Sequence, residues 1–231
     1  MAAQLPLQFE YKPDYTFASF FPGNNLEVVE HLQQCISGKG ESQILVWGTT
    51  GQGKSHLLQA CCHYAQQMQK TSFYLSLQPA NLPDPIILDG LEAMTVVCLD
   101  NIDSLIGNKD WENALFVFYN QQRDLGHHLI LSASSHPIKL AFHLPDLHTR
   151  LSWGLVLKLQ TLEDEDKIFA LTFKARQLGL EISPKIGRFL IQNYSRDLPS
   201  LWELLDKIDQ ATLAAKRKLT IPFLKSMLEK Q

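Results

Sequence analysis

Short apolar runs alternate with longer amphipathic stretches over the first two thirds of the chain. "QILVW" (Gln43–Trp47) is an apolar run followed by Gly48, and it predicts a buried strand. "SFYLSL" (Ser72–Leu77) alternates in part between polar and apolar residues and predicts a second strand. "MTVVCLD" (Met94–Asp100) is apolar on both faces, which predicts a central strand. "HLILSAS" is a fourth candidate strand, after the helix-like "WENALFVFYNQQRDLG" that ends at Gly126. This alternation predicts an α/β fold with a parallel sheet sandwiched by helices.

From about Thr161 the pattern becomes purely helical. Thr161 and Asp164 stand at the spacing of a capping box, although Asp replaces the usual Glu or Gln. Ser183 before Pro184 is typical of a helix N-cap followed by proline at the first helical position. "TIPFLKSMLEK" predicts a last short helix. The preceding helix carries one apolar stripe, formed by Leu201, Leu205, Ile208, Thr212 and Ala215.

Composition and charge narrow the class of protein. The chain has 231 residues, 45% of them apolar and 19% charged, with a net charge of −3, so we expect no strong direct binding to DNA. Four cysteines without C-x-x-C spacing indicate reduced thiols in a cytoplasmic protein. We see no signal peptide and no run long enough to span a membrane. We expect a flexible peptide over 1–15, an α/β domain over 16–160 and a small all-α domain over 161–231.

"GTTGQGKS" (Gly48–Ser55) fits G-x-x-x-x-G-K-[ST] at every fixed position, between a predicted strand and a predicted helix. Glycines let the backbone N–H groups wrap a phosphate, and the helix N-terminus adds its positive end. Lys54 is expected to reach the β- and γ-phosphates of ATP or ADP, and Ser55 to bind Mg²⁺. The predicted nucleotide-binding residues of this loop are Gly48, Thr49, Thr50, Gly51, Gln52, Gly53, Lys54 and Ser55.

The strand "TVVCLDNID" supplies a carboxylate for the same site. Asp100 ends an apolar strand, as the Mg²⁺-binding Asp of a Walker B strand does, so we predict Ser55 and Asp100 as Mg²⁺ ligands. Asn101 follows it, where many P-loop ATPases have an acid that activates water. An amide accepts no proton, and the missing base is worth about 10²- to 10⁴-fold in rate. Asp103 is close in sequence, but its spacing does not place it at the same point.

Several segments resemble one family. "LILSAS" and "LPDLHTRLSWG" (Leu144–Gly154) look like the AAA+ core of DnaA, the bacterial replication initiator. "TFASFFPGNN", "LDNID", "EDEDK" and "RKLTIPF" resemble the Hda-type regulators of the DnaA/Hda family. The resemblance covers nearly the whole chain from Gln4 and implies an AAA+ sheet domain with a helical lid. It also implies a chain without the DNA-binding domain of DnaA, and DnaA itself as a partner.

The resemblance also assigns roles to single residues. Arg150, in "HTRLSWG", matches the arginine finger that completes the ATP site of a neighbouring molecule. Ser134 stands at the sensor-1 position of the nucleotide site, where relatives often have Asp. Pro199 stands where the sensor-2 arginine is expected, and Arg196 lies one turn earlier. We therefore expect a chain that binds nucleotide and hydrolyses it slowly.

The N-terminal "QLPLQF" (Gln4–Phe9) matches the Q-L-x-L-x-F type of peptide that binds the replicative sliding clamp, the DNA polymerase III beta subunit. Hda-type proteins carry such a peptide at this end. Leu5, Leu7 and Phe9 would enter an apolar pocket while the amide of Gln4 hydrogen-bonds at its edge. A tail that packs on its own domain is the alternative.

Other candidate residues are weaker. Cys61, Cys62 and His63 are consecutive on a helix, so their side chains point in different directions and cannot readily share a zinc ion. His127 and His128 begin a strand, where a structural role is more common than a catalytic one. Phe116 and Phe118 are expected to pack in the hydrophobic core rather than to form a platform for stacking bases.

The sequence therefore predicts a replication regulator that binds the clamp and stimulates ATP hydrolysis by DnaA through Arg150. An autonomous AAA+ ATPase of the helicase-loader type is the main alternative, and a small-molecule P-loop kinase is a second. The resting nucleotide (ADP or ATP) and self-association stay open.

Overall fold

The computed structural model describes residues 12–215 and 219–228. The chain divides into two compact units, one formed by residues 1–160 and the other by residues 161–231. Among the described residues, no helix is both long enough and apolar enough to cross a bilayer.

A five-stranded sheet with the strand order β2-β3-β4-β1-β5 organises the first unit, and every neighbouring pair is parallel. The prediction of a parallel α/β sheet is confirmed. The strands β3 and β4 are interior strands of the sheet. All of their residues are buried, because helices cover both faces. The strands are β1 (Gln43–Trp47), β2 (Ser72–Ser76), β3 (Val96–Asp100), β4 (His128–Ala133) and β5 (Leu155–Lys158).

Helices cover the two faces of the sheet in pairs. Alternate residues of each strand point to opposite faces, so Leu45 joins one core while Ile44 and Val46 join the other. The face that holds Leu45 packs against α3 and α4, with Trp111 and Phe118 among its largest buried side chains. The other face packs against α1 and α2. These helices are α1 (Leu26–Ser37), α2 (Lys54–Gln67), α3 (Lys109–Asp124) and α4 (Pro145–Leu151).

Three elements of this unit are not predicted from the hydrophobic pattern. The edge strand β5 has four residues and none of them is fully buried, so it lacks the apolar run that identifies a central strand. The helix α4 has seven residues, too few for a clear period. The helix α1 does have an amphipathic pattern, and it ends at Gly38, whose φ of 76° suits a glycine cap. The predicted ends of β2 and β3 differ from the observed ends by one or two residues.

In the residues that the structure describes, the regular elements of the second unit are all helices: α5 (Asp164–Gln177), α6 (Pro184–Asn193), α7 (Leu198–Ala215) and α8 (Ile221–Leu228). Its core is aliphatic and includes Leu171, Leu190, Leu201, Leu205 and Leu224. The stripe predicted on α7 is confirmed at the four positions whose side chains are described, namely Leu201, Leu205, Ile208 and Thr212.

One predicted helix cap is confirmed and the other is wrong. The hydroxyl of Ser183 accepts a hydrogen bond from the backbone N–H of Ile186 at 3.4 Å, as an N-cap does. Thr161 does not cap α5, because the chain stays extended until Glu163 and the helix begins at Asp164. Three acidic residues in the first turn of α5 favour this start, since they face the positive end of the helix dipole.

Gly154 leads into β5 where no side chain fits. A Cβ atom there would overlap the backbone carbonyl oxygen of Gln43 and lie 3.0 Å from the Cβ atom of Gln43. The obstacle is the backbone of a neighbouring strand, which cannot move aside. We therefore expect Gly154→Ala to lower the free energy of unfolding by about 1–3 kcal/mol.

Urea denaturation of the purified variants measures this loss. Ser152→Ala, at an exposed position two residues earlier, is the control and should change the free energy of unfolding by about 0.5 kcal/mol or less. If Gly154→Ala is as stable as this control, β5 does not lie against β1 as described.

Candidate nucleotide site and arginine surface

The glycine-rich loop joins the carboxyl end of β1 to the first turn of α2. Gly51 and Gly53 have φ values of 83° and 93°, in the left-handed region that favours glycine. The N–H of Gly48 donates a hydrogen bond to the carbonyl of Ala133 at 3.2 Å, which ties the start of the loop to the end of β4. The loop therefore presents the N-terminus of a fourteen-residue helix at the carboxyl edge of the sheet.

The segment after Lys12 covers the first turns of α2. A Cβ atom at Gly53 would lie 2.7 Å from a ring carbon of Phe20, so this position is closed to larger residues. Phe20 meets the ring of His56 edge-on, and Tyr15 stacks on the same ring at 4.4 Å between centroids. No pattern in the sequence singles out Tyr15 or Phe20, although Phe20 belongs to "TFASFF", one of the segments that carry the family resemblance.

Lys54 provides the positive charge of the loop. Its side chain is buried, and its Nζ atom donates hydrogen bonds to the carbonyls of Gly48 at 2.7 Å and Thr49 at 3.1 Å. Burial lowers the pKa of Lys54, while the negative charges of Asp100 and Asp103 oppose this shift. The ammonium group thus lies within the loop that would surround a phosphate.

Asp100 ends β3 with its carboxylate almost entirely buried. Its Oδ2 atom accepts a hydrogen bond from the hydroxyl of Tyr74 at 2.9 Å, and its Oδ1 atom accepts one from the hydroxyl of Ser132. Tyr74 lies on β2 and Ser132 on β4, the two strands that flank β3. Tyr74 and Ser132 cannot be identified from the sequence alone, because their proximity to Asp100 follows from the strand order.

The turn after Asp100 is tied to β4 by two further hydrogen bonds. Asn101 has a left-handed backbone with φ of 63°, and its N–H donates to the hydroxyl of Ser132 at 2.9 Å. The Oδ1 atom of Asp103 accepts a hydrogen bond from the N–H of Ser134 at 3.0 Å. Ser134 is exposed at the end of β4. Asp103 therefore braces the end of β4 at the same edge as the loop.

These residues have the donors and acceptors that a magnesium-bound nucleotide requires. Lys54 and the glycine loop offer hydrogen-bond donors for phosphate, and Ser55 and Asp100 offer oxygen ligands for Mg²⁺. The described residues contain no cluster of three or more His, Cys, Asp or Glu side chains that could hold a metal ion. Mg²⁺ at such sites does not need one, since phosphates and water supply most of its ligands.

Arg150 lies half-buried in the last turn of α4, on a surface formed by aromatic rings. Its guanidinium carbon is 4.0 Å from the ring centroid of Trp153 and 5.9 Å from that of Phe116. The ring of Trp153 is 59% exposed, and Arg123 lies 5.7 Å from its centroid. We call Phe116, Arg123, Arg150 and Trp153 the arginine surface.

The guanidinium group of Arg150 has unused hydrogen-bonding capacity. Its Nη1 atom is buried and has no hydrogen-bond acceptor, and no carboxylate in the described part of the chain lies within ion-pair distance of it. Arg123, in contrast, forms an ion pair with Asp124 at 3.0 Å. Arg150 is therefore held by rings rather than by a negative charge.

Arg150 lies near the amino ends of the strands, whereas the glycine loop lies at their carboxyl ends. Trp153 and Gly154 lead directly into β5, whose first residue pairs with Ile44 near the amino end of β1. The loop begins after Trp47 at the carboxyl end of the same strand. Five residues of strand separate the two edges by about 13 Å. The residues that follow Arg150 therefore lie at the opposite ends of the strands from the chain's own loop.

Glu112 fixes the start of the helix that carries Arg150. Its buried carboxylate accepts hydrogen bonds from the N–H groups of Gly107 at 3.0 Å and Leu144 at 2.9 Å, and His143 lies 3.5 Å away. Leu144 immediately precedes α4. Burial raises the pKa of Glu112, but these hydrogen bonds outweigh burial and leave the pKa below its ordinary value of 4.5.

The cysteines, histidines and phenylalanines that the sequence marks as weaker candidates are mostly buried or bonded within the fold. The four cysteines are buried and reduced. His127 bonds the carbonyl of Glu92 at 3.0 Å, and burial lowers the pKa of His128 to about 4, so its ring is neutral at neutral pH. Phe118 lies in the core as predicted, and Phe116 is half-buried against that core, beside Arg150. The predicted clamp-binding residues, Gln4, Leu5, Leu7 and Phe9, lie outside the described residues.

Two families match different parts of the sequence. The family described as the bacterial DnaA ATPase domain matches residues 11–79, and the family described as the Hda lid domain matches residues 164–228. These two matches support an Hda-like, DnaA-homologous AAA+ protein. The first match contains the glycine-rich loop, and the second covers α5 to α8.

Solved structures of DnaA share the fold of this Hda-like chain. Domain III of DnaA from Thermotoga maritima has a TM-score of 0.80 at 21% identity, with 95% of this chain and 98% of that one covered. AMPPCP-bound DnaA from Aquifex aeolicus has a TM-score of 0.75 at 22% identity, with 86% and 66% covered. A RuvB variant from Thermotoga maritima has a TM-score of 0.67 at 18% identity, with 89% and 68% covered. These likenesses establish the AAA+ fold.

The buried carboxylate of Glu112 predicts a pH-dependent contribution to stability. Glu112→Gln should lower the free energy of unfolding by about 1.5–3 kcal/mol at neutral pH, because the amide is a weaker acceptor than a carboxylate. The folded-state pKa is lowered, so the advantage of the wild type is complete above pH 4.5 and is lost as the pH falls through that lowered value.

Urea unfolding at about pH 7 and about pH 3 measures the difference. Glu30→Gln, at an exposed position of α1, serves as the control and should have little effect at either pH. An equal loss for Glu112→Gln at every pH would show that the charge of Glu112 does not stabilise the start of α4.

Proposed function

We propose that this chain is a regulator of DNA replication that stimulates the hydrolysis of ATP bound to DnaA. Arg150 acts on the nucleotide of the partner, the loop of Gly48–Ser55 binds ADP or ATP, and the peptide Gln4–Phe9 binds the sliding clamp. The regulator would act in the cytoplasm on DnaA at replicating DNA and so prevent renewed initiation.

The position of Arg150 carries this proposal. The guanidinium group rests on Trp153 and Phe116 and has no carboxylate partner among the described residues, so its positive charge is not neutralised there and can act on a phosphate. Its edge of the sheet is remote from Lys54, so the phosphate it fits belongs to another molecule. An arginine supplied in trans neutralises charge on the γ-phosphoryl group and can raise the rate about 10³- to 10⁵-fold.

The loop of Gly48–Ser55 supports nucleotide binding by the chain itself. DnaA of the same fold has been solved with AMPPCP, and Lys54 and two left-handed glycines form the matching loop here. We assign Ser55 and Asp100 to the Mg²⁺ ion of the bound nucleotide. When bound, this ion would neutralise phosphate charge.

The residues after Asp100 favour slow hydrolysis by the chain itself. Asn101 has no basic group, and Asp103 is engaged with the N–H of Ser134 at 3.0 Å. Position 101 has no carboxylate that could activate a water molecule. The absence of such a base lowers the rate of hydrolysis by about 10²- to 10⁴-fold. This favours a stimulator of DnaA over an autonomous ATPase of the helicase-loader type.

The clamp-binding peptide explains how the regulator finds DnaA at the right place. The N–H of Lys12 bonds the side chain of Gln59 at 2.7 Å, so the chain is attached to α2 from this residue onward. Two residues, Glu10 and Tyr11, join the peptide Gln4–Phe9 to Lys12, and the span from Phe9 to Lys12 is at most about 11 Å when fully extended. A tether of this reach raises the concentration of regulator beside DNA-loaded clamps.

Replacement of Arg150 tests the central step. With DnaA, ATP and DNA-loaded clamp present, Arg150→Ala should reduce the stimulated hydrolysis by at least about 10³-fold, to the intrinsic rate of DnaA, and Arg150→Lys should recover little of it. Arg123→Ala removes a neighbouring guanidinium that already has an ion-pair partner and should retain most of the stimulation.

Two results would contradict this function. If Arg150→Ala stimulates DnaA as well as the wild type does, the residue is not an arginine finger. If the chain alone hydrolyses ATP rapidly and DnaA adds nothing, the autonomous ATPase is the correct alternative.

The tether is tested with substitutions in the N-terminal peptide. Gln4→Ala and Phe9→Ala should each weaken retention of the chain on immobilised clamp at least about tenfold, whereas Gln8→Ala, between the anchoring positions, should not. The defect in stimulating DnaA should disappear at high protein concentration, because the tether acts through local concentration. Unchanged binding by both variants would remove the clamp from the proposed function.

A further inference from the structure

Asp100 lies in a buried chain of hydrogen bonds that the P-loop motifs do not include. Tyr74 and Ser132 each donate a hydroxyl to one of its two carboxylate oxygens. The side chains of Gln59 and Ser76 both interact with the hydroxyl of Tyr74, and the Oε1 atom of Gln59 accepts a hydrogen bond from the N–H of Lys12 at 2.7 Å. The chain thus runs from the N-terminal segment through α2 and β2 to the carboxylate on β3.

The four side chains in this series of hydrogen bonds are all buried. The exposed fractions are 2% for Gln59, 7% for Tyr74, 1% for Asp100 and 0% for Ser132. A buried polar group costs free energy unless it has partners, and a chain in which each member supplies the next is a rigid arrangement. Burial raises the pKa of Tyr74, and the nearby charge of Asp100 raises it further, so the hydroxyl remains a donor.

The two hydroxyls decide how the carboxylate is oriented. The negative charge of Asp100 acts on Lys54, yet the ammonium group bonds the loop carbonyls, and the described residues contain no ion pair between the two side chains. With both oxygens held by Tyr74 and Ser132, the carboxylate has a fixed plane. Without the hydroxyl of Tyr74, it could rotate.

We propose that Tyr74 is a positioning residue for Asp100, and that its hydroxyl, oriented by Gln59, fixes the carboxylate for the Mg²⁺ ion of the bound nucleotide. This inference rests on the proposed nucleotide site and adds two residues that touch neither the glycine loop nor the nucleotide in that proposal. Partners that orient a metal-binding group typically contribute about 10- to 100-fold to metal affinity.

Binding of ADP with and without Mg²⁺ tests the inference without any turnover. The full chain is freed of copurified nucleotide, and the dissociation constant for ADP is measured by calorimetry in excess Mg²⁺ and in EDTA. The ratio of the two constants gives the enhancement by Mg²⁺. Tyr74→Phe should reduce this enhancement about tenfold, and Asp100→Asn should abolish it.

Tyr119→Phe is the matched control, because it removes the hydroxyl of another buried tyrosine, on α3, and should leave the enhancement unchanged. Gln59→Met leaves the hydroxyl of Tyr74 in place but removes its orienting partner, so it should give a smaller decrease in the same direction. This variant carries the test if Tyr74→Phe does not fold.

The outcomes separate this inference from the proposed function. If the wild type binds ADP with an enhancement by Mg²⁺ and folded Tyr74→Phe keeps the same enhancement, Tyr74 does not position Asp100 and the inference fails alone. If the wild type binds no ADP in either buffer, the nucleotide site of the proposed function fails and this inference with it.

Discussion

All five strands of the sheet run in the same direction, and this constraint places the two proposed functional surfaces of the first unit at opposite ends of the strands. The carboxyl ends of β1, β3 and β4 meet at one edge, where Lys54 and Asp100 lie. Each connection must then return the chain to the other edge before the next strand begins. The helix α4 makes the return from β4 to β5 and carries Arg150 in its last turn, near the amino ends of the strands. Distance from its own nucleotide loop is thus a consequence of the topology.

Different interactions hold the charged side chains at the two ends of the strands. At the carboxyl edge, Lys54 is held by loop carbonyls and Asp100 by hydroxyls, so a cation and an anion coexist without neutralising each other. At the amino edge, Arg150 is held by the ring of Trp153, which attracts a cation without occupying its donors. In both places the residue keeps its capacity to bind a ligand.

Much of the fold and part of the site can be predicted from local patterns. The apolar runs of β1 and β3 identify buried strands, and the spacing in Gly48–Ser55 identifies the loop between β1 and α2, because these signals lie within a few consecutive residues. The four-residue strand β5 has no such signal. Tyr74 and Ser132 become neighbours of Asp100 only when β2, β3 and β4 are placed side by side. Thr161 shows a further limit, since a capping pattern does not guarantee that the helix starts there.

The most direct test of the central claim is a structure of the chain in complex with DnaA that holds AMPPCP. The account predicts that the guanidinium group of Arg150 lies about 3 Å from an oxygen of the γ-phosphate in the nucleotide of DnaA. It would be contradicted by a complex in which Arg150 stays on Trp153, away from that nucleotide, and only residues of DnaA contact the γ-phosphate.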